Sequence, residues 1–496
     1  MAILRDFYPR RDSFSFANFD TDSLDWDTYR RSYLSIWPTE DVVRAPLDVA
    51  FYAAAFEGCA KPGHCVGLST LAITIWQLGG WFGFNSPASF YTGPPDAYPH
   101  PGPESDDLRK AVHILHARQF DAGNVQDVVQ TVKAGHLNDG MAAYDRVLDG
   151  LASGDLQVIS ISDGLSDGHA HCLLPYRCET LTTGERDLYV WDSVRPYALY
   201  PDYYDRGYNR IRINSPTDWT YDQNPISATT GGTLYEGARH LYEGAHHGWL
   251  FAFSASAVRN KGSQPFSVGY AMSDLSYLVL SGSASVAQIE DDEGRLLFET
   301  DAAGRPTGWR TAAGLSVAPW PWAGGSGSGK ELYLVAGADA AITVRVYGGD
   351  YRLQMSTSGR LTEVAPRGAG RATDNIRVER RADSHSLELR TSARSRRFDV
   401  RHVHQSEPGA WAGVRVRDVL VTDDALRVEL AGTGDAARLS GASARRKVDV
   451  EFERFRDGTL SSSMLEGRRF DAKRPLFATP GQWVRAPRAA SAPTAR

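Results

Sequence analysis

From about residue 265 to residue 455 the chain is a series of short segments in which apolar and polar residues alternate, separated by Gly, Asp and Ser. The segments are LSYLVLSG, ELYLVAG, AITVRVYGG, YRLQM, IRVER, SLELRT, GVRVRDVLVT, ALRVELAG and KVDVEFERF. Alternation with a period of two predicts strands that bury one face, and strands without helical patterns between them are typical of β-sandwiches. We therefore predict an all-β, sandwich-type region over 261–483, with one or two β-sandwich domains. A disordered tail rich in Arg, Pro and small residues is expected over 484–496.

The first 260 residues combine helical and strand patterns. ESDDLRKAVHILHARQF predicts a helix, because Ser105 can cap its first turn and its apolar residues share one face. NDGMAAYDRVLDGLASG predicts another helix that ends at Gly154. DLQVISIS, GHAHCLLPYRCETL and RDLYVWDSV predict three strands, the last two joined by a turn at TTGE. We predict an α+β domain over 1–260, with helices first and an antiparallel sheet after them.

Length and charge narrow the class of protein. A chain of 496 residues can hold two or three domains, and a net charge of −6 argues against nucleic acid as a partner. No apolar run reaches the ~18–20 residues of a membrane-spanning helix. The opening residues, MAILRDFYPRRDSFSF, carry charges where a secretory signal is apolar. We expect a soluble, cytoplasmic protein, with export by a route that needs no such signal left open.

Cys65 is the candidate nucleophile of the chain. It begins the segment CVGLSTLAITIWQL, whose apolar residues fall on nearly every side and predict a helix inside the core. The unpaired N–H groups and the dipole at a helix N-terminus lower the pKa of a thiol placed there. Four cysteines are too few for a disulfide scaffold in a chain of this length, so we expect free thiols.

The two strands joined by the turn at TTGE predict a base and an acid that orients it. His171 lies near the start of one strand and Asp192 at the end of the next. Paired positions of an antiparallel hairpin have a constant sum, so the turn at TTGE makes these two residues neighbours to within a couple of positions. The Asp192 carboxylate would orient the imidazole, and an imidazolium would stabilise the Cys65 thiolate. Cys172 and Cys178 are expected to face away from His171 and to serve packing.

The order Cys65, His171, Asp192 and the segments GHCVGLS, HCLLPY and LYVWDSVRP resemble the papain-like cysteine hydrolase superfamily. These segments also resemble a bacterial papain-like group with the motifs G-x-C-x-G, H-x-x-x-P/A-Y and V-Y-D-x-N-x-P, and the resemblance covers roughly residues 5–255. The resemblance implies a papain-like fold for the first domain and a cysteine peptidase or amidase. It also implies that Cys65 is the nucleophile, His171 the base and Asp192 the orienting acid.

The oxyanion site departs from that family. Papain-like peptidases carry a glutamine six residues before the nucleophile, and this chain has Cys59 there. The Cys65 backbone N–H can supply one donor to an oxyanion. Asn18 and Gln119 are the candidates for the second donor or for substrate binding.

His169 is an alternative base. It lies two residues before His171, so both side chains point to the same face of a strand. We favour His171, because its spacing to Pro175 and Tyr176 fits the family pattern and its register suits Asp192.

Two further functions stay open. A transglutaminase-like enzyme with the same residue order would transfer an acyl group to an amine. An inactive papain-like shell would be a binding or structural module, with the β region as the candidate site for a protein or carbohydrate partner.

We expect no metal and no cofactor. The cysteines and histidines lack the spacing of a zinc site, and AGGSGSGKEL lacks the strand–loop–helix context of a phosphate-binding loop. The expected substrate is a peptide or a protein.

Overall fold

The computed structural model divides the chain into two compact units. The first comprises Met1–Leu34, Ala55–Phe266 and Pro321–Ser328, and the second comprises Ser35–Ala54, Ser267–Trp320 and Gly329–Arg496. The structure describes residues 2–3, 7–20, 24–33, 46–57, 59–61, 63–81, 83–91, 103, 105–162, 170–227, 230–235, 239–244, 248–259, 275–300, 306–309, 311–312, 315–319, 330–336, 341–357, 359–368, 370–380, 384–407, 410–422, 424–431, 433–441, 446–456, 459–471, 473–481 and 484–485.

The α-helices are α1 (Pro9–Asp12), α2 (Trp26–Ser32), α3 (Pro46–Phe51), α4 (Cys65–Leu78), α5 (Asp106–Ala117), α6 (Ala122–Lys133), α7 (Gly140–Ser153), α8 (Pro201–Asp205) and α9 (Ala255–Arg259). Single turns of other helix types are formed by Tyr52–Phe56, Ala88–Phe90 and Arg118–Phe120. Among the described residues no helix combines the length and the apolar character that crossing a membrane requires.

The strands of the first unit are β1 (Ala2–Ile3), β2 (Gln157–Ser162), β3 (Ala170–Thr180), β4 (Arg186–Trp191), β5 (Arg210–Ile213), β6 (Trp219–Asp222), β7 (Leu241–Glu243) and β8 (Leu250–Ser254). Those of the second unit are β9 (Leu275–Glu290), β10 (Leu296–Thr300), β11 (Pro306–Trp309), β12 (Thr311–Ala312), β13 (Leu315–Pro319), β14 (Lys330–Ala336), β15 (Ile342–Thr357), β16 (Arg360–Arg367), β17 (Ala372–Arg380), β18 (Ser384–Thr391), β19 (Arg396–Glu407), β20 (Ala410–Val421), β21 (Leu426–Ala431), β22 (Ala437–Ser440), β23 (Arg446–Arg456), β24 (Thr459–Phe470), β25 (Leu476–Ala478) and β26 (Val484–Arg485).

The first unit is an α+β structure. Its antiparallel sheet has the order β7-β6-β5-β4-β3-β2-β8, with β1 paired to the far end of β3. The sequence predictions for the helices are confirmed: Ser105 caps α5 by accepting a hydrogen bond from the Leu108 N–H, and α7 ends at Gly154 in a left-handed conformation. The three predicted strands are β2, β3 and β4.

Helix α4 lies in the core of the first unit, as predicted. Its residues from Cys65 to Ile75 are buried. A Cβ atom on Gly67 would overlap the Val112 carbonyl oxygen, so glycine at this position lets the backbone of α5 approach closely. This contact fixes the first turn of α4 against a second helix.

The second unit is an antiparallel β structure that forks. The long strands β9 and β15 pair with each other. The first half of β15 then pairs with β17, and its second half pairs with β16. Two rows of strands continue from there: β16-β19-β20-β23-β24-β26 and β17-β18-β21-β22-β25.

One hydrophobic cluster serves both rows. It contains Val400 and Val450 from the first row and Leu389 and Val428 from the second. The two rows therefore share one hydrophobic core. Of the predicted tail, Val484 and Arg485 pair with β24, and 486–496 lie outside the described residues.

Candidate active site

Cys65 is the first residue of α4. The chain enters this helix through Gly63, whose φ of +124° is open only to glycine, and His64 occupies the N-cap position. No described side chain caps the helix, whereas α2, α5, α6 and α7 are each capped by an Asp or Ser side chain. The N–H groups of the first turn of α4 therefore remain available to an anion beside the thiol.

The hairpin of β3 and β4 brings His171 and Asp192 together, as the spacing predicted. Leu174 pairs with Trp191, so the next pair along the hairpin would be Leu173 with Asp192, two residues from His171. The His171 Nε2 atom lies 2.7 Å from Asp192 Oδ1, and both side chains are buried. This bond leaves Nδ1 as the ring nitrogen that can bond the Cys65 sulfur.

Asp192 is held by three further donors. Its Oδ2 accepts hydrogen bonds from the Tyr221 hydroxyl at 2.6 Å and from Gln223 Nε2 at 2.8 Å. Its Oδ1 also accepts the Val194 N–H at 2.7 Å. Burial disfavours the charged carboxylate, but the charge and hydrogen bond of His171, with those of Tyr221 and Gln223, hold the pKa of Asp192 below its ordinary value. Asp192 is thus a fixed anion that orients the imidazole.

The electrostatics of the site favour a thiolate beside an imidazolium. A hydrogen bond from the Cys172 thiol, with the hydrogen bond and charge of His171, holds the pKa of Cys65 well below its ordinary value despite burial. Burial opposes charge on His171, yet Asp192 and Cys65 together raise its pKa to about 10. The proton of the pair therefore resides on the ring at neutral pH.

Cys172 is a site neighbour that the sequence interpretation assigned to packing. It is fully buried and lies opposite Ser160 on β2. Burial and the hydrogen bond to Cys65 raise the pKa of the Cys172 thiol well above its ordinary value, so it remains a donor. Strand alternation predicted that Cys172 faces away from His171, but it does not reveal that α4 brings Cys65 close to both residues.

Tyr221 and Gln223 were also not predicted. They lie on or just after β6, two strands away from β4 in the sheet. The alternating segment WTYD indicates a strand, but its register against Asp192 depends on β5 between them.

Three histidines surround the start of α4 on the side of α5. The ring of His64 stacks on that of His113 with centroids 4.6 Å apart, and it lies 5.1 Å from the ring of His116. Burial lowers the pKa of all three, that of His113 to about 4. Within the described ranges no group of three or more His, Cys, Asp or Glu side chains is arranged to hold a metal ion.

The remaining candidates are placed as follows. Asn18 contacts the start of α4, where its Oδ1 accepts the His64 N–H at 2.7 Å. Gln119 is fully buried, and one of the two N–H donors on its Nε2 is taken by the His116 carbonyl at 2.8 Å. His169 lies outside the described residues.

Cys59, at the position where the resembled family has glutamine, is buried, and burial raises the pKa of its thiol. Its carbonyl oxygen is 3.1 Å from His116 Nε2. Comparisons of the chain with family models, curated proteins and solved structures gave no match.

Proposed function

We propose that this chain is a cysteine-nucleophile hydrolase that cleaves a peptide or amide bond with Cys65, His171 and Asp192. One observation carries the proposal: Asp192 fixes the buried His171 ring at 2.7 Å through Nε2, and the charge and hydrogen bonding of Cys65 help to raise the pKa of that ring. A nucleophile, a base and a buried group that orients the base are the parts that acyl transfer requires.

The reaction begins with the Cys65 thiolate. It adds to the substrate carbonyl carbon, a C–S bond forms, and an electron pair moves to the carbonyl oxygen. Collapse of this intermediate breaks the C–N bond, and the amine leaves with a proton from the His171 imidazolium. His171 then takes a proton from water, which attacks the thioester and releases the carboxylic acid and the Cys65 thiolate.

Family, location and partners are part of the same proposal. The residue order along the chain, with the thiol on a helix and the base and acid on a later hairpin, supports a papain-like assignment. All four cysteines are free, which suits the reducing cytoplasm. A peptide or protein is the proposed substrate, and the second unit is the proposed site for a protein or carbohydrate partner.

Turnover of a broad peptide library by the wild type and by Cys65→Ala tests the proposal. Loss of the nucleophile should lower the turnover rate by a factor of about 10³ or more. Cys178→Ala is the matched control, because Cys178 lies in the core cluster of the first unit and burial raises the pKa of its thiol to about 12. It should retain wild-type turnover.

Equal turnover by the wild type and Cys65→Ala would reject Cys65 as the nucleophile, and the absence of turnover in both would favour an inactive shell. Adding a primary amine distinguishes transfer from hydrolysis. A hydrolase yields the same carboxylic acid with and without the amine, whereas a transferase yields the substituted amide.

A further inference from the structure

Asn18 joins the two chain segments that carry the nucleophile and the acid. Its backbone N–H donates to the carbonyl of Ser193, the residue after Asp192, at 2.7 Å. Its side-chain Oδ1 accepts the N–H of His64, the residue before Cys65, also at 2.7 Å. Asn18 is therefore fixed at both ends relative to the reacting groups.

These bonds determine where the amide nitrogen of Asn18 lies. Because only an oxygen can accept the His64 N–H, the orientation of the amide group follows from that bond. The Nδ2 atom then packs against the backbone of Gly63: a Cβ atom added to Gly63 would lie only 2.4 Å from it. No acceptor for Nδ2 occurs within the described part of the chain, and Asn18 is partly exposed. A free donor thus lies at the uncapped start of α4.

Attack by Cys65 on a carbonyl creates an oxyanion, which enzymes stabilise with fixed N–H donors. The Cys65 backbone N–H is one such donor. The Cys59 side chain has no amide N–H, and a thiol is only a weak donor, so it is a poor replacement for glutamine. We propose that Asn18 Nδ2 is the second donor to the oxyanion formed at Cys65, an inference that rests on the proposed hydrolase function.

Two small probes separate this role from a structural one. p-Nitrophenyl acetate acylates a thiolate through an oxyanion: the C–S bond forms, the electron pair moves to oxygen, and p-nitrophenolate leaves when the carbonyl re-forms. Iodoacetamide alkylates the same thiolate by direct displacement of iodide, without an oxyanion. The ratio of the two rates at Cys65 therefore measures oxyanion stabilisation alone.

The decisive variant is Asn18→Asp, which keeps an oxygen to accept the His64 N–H and removes the Nδ2 donor. We expect its acylation rate to fall about 10²–10³-fold. Its alkylation rate should stay within about threefold of wild type when both are compared on the high-pH plateau, where the thiol is fully ionised. Asn18→Ala should lower the ratio similarly, and Asn214→Asp, in an exposed loop, should leave it unchanged.

The ratio of acylation to alkylation in Asn18→Asp distinguishes the two proposals. An unchanged ratio, including one in which both rates fall equally, would overturn the role of Nδ2 and leave the hydrolase proposal intact. A wild type that iodoacetamide alkylates at Cys65 but p-nitrophenyl acetate does not acylate would overturn the hydrolase proposal itself. Thermal unfolding of each variant confirms that the rates belong to folded protein.

Discussion

Asp192 in the first unit and Asp374 in the second are both fully buried, and each is bonded to one cationic side chain and one tyrosine. Asp192 accepts from His171 at 2.7 Å and from Tyr221 at 2.6 Å. Asp374 accepts from Arg396 at 2.7 Å and from Tyr351 at 2.9 Å.

The two clusters differ in the cation. An imidazole exchanges its proton near neutral pH, whereas a guanidinium keeps its proton in proteins. Only the cluster of the first unit also contacts a thiol. A buried ion pair is therefore no signature of catalysis by itself, and proton exchange beside a nucleophile is what distinguishes the two.

The ion pair of the second unit connects its two rows of strands. Asp374 lies on β17 of one row, Arg396 begins β19 of the other, and Arg396 also donates to the Gly349 carbonyl of β15 at 2.8 Å. The ion pair therefore links the two rows of strands near the point where they diverge from β15.

Arg396→Leu should give the largest change in stability, because it leaves the Asp374 carboxylate buried and unpaired. The free energy of unfolding should fall by about 3–5 kcal/mol, measured by urea denaturation. The double variant Asp374→Leu/Arg396→Leu removes both charges and should recover most of the loss. Equal losses in the single and double variants would show that packing, and not the unpaired charge, sets the cost.

The two tyrosines offer a matched pair. Tyr221→Phe and Tyr351→Phe each remove one hydrogen bond to a buried carboxylate, and each should lower the free energy of unfolding by about 1.5–3 kcal/mol. Tyr221→Phe also removes an acceptor of the Tyr203 hydroxyl, which keeps the Asp222 carbonyl as an acceptor. Only Tyr221→Phe should also slow acylation of Cys65 by p-nitrophenyl acetate, since only Asp192 orients a base. Slowed acylation in Tyr351→Phe at a temperature where the variant is folded would break the distinction between the clusters.

The contributions of His171 and His402 to the free energy of unfolding should change with pH in opposite directions. Burial, with Arg360 and His404 nearby, lowers the pKa of His402 to about 3, whereas that of His171 is raised to about 10. Between pH ~6.5 and 3 the unfolded chain holds a proton on residue 402 that the folded chain lacks, so stability falls as pH drops through this window.

His402→Gln should reduce that fall by up to about 1.4 kcal/mol per pH unit, the value for one proton, in urea denaturation between pH 4.5 and 6.5. An identical slope in His402→Gln would mean that other groups account for the acid sensitivity.

Much of the site was predictable because its determinants are local. Helix α4 follows from an apolar run after Gly63, and the meeting of His171 with Asp192 follows from a single turn between two strands. The partners that complete the site are not local. Cys172 depends on how α4 packs on the sheet, and Tyr221 reaches Asp192 from β6, two strands away from β4.

The sequence predicted where strands occur in the second unit better than it predicted how long each strand is. AITVRVYGG and YRLQM were expected as separate strands, yet both belong to β15. Gly348 and Gly349 read as a turn, but the register of β15 against β9 shifts there and the strand continues. Pairing along the whole of β9 outweighs the local preference of Gly-Gly-Asp for a turn.

The shared strand β15 also governs how the second unit can come apart. Because β15 supplies hydrogen bonds to both rows, it cannot separate from one row without disrupting the other. Separating the rows would also expose the hydrophobic cluster that they share. We therefore expect both sheets to melt as one cooperative element, and its assembly during folding to wait for the distant segments β9 and β15 to meet.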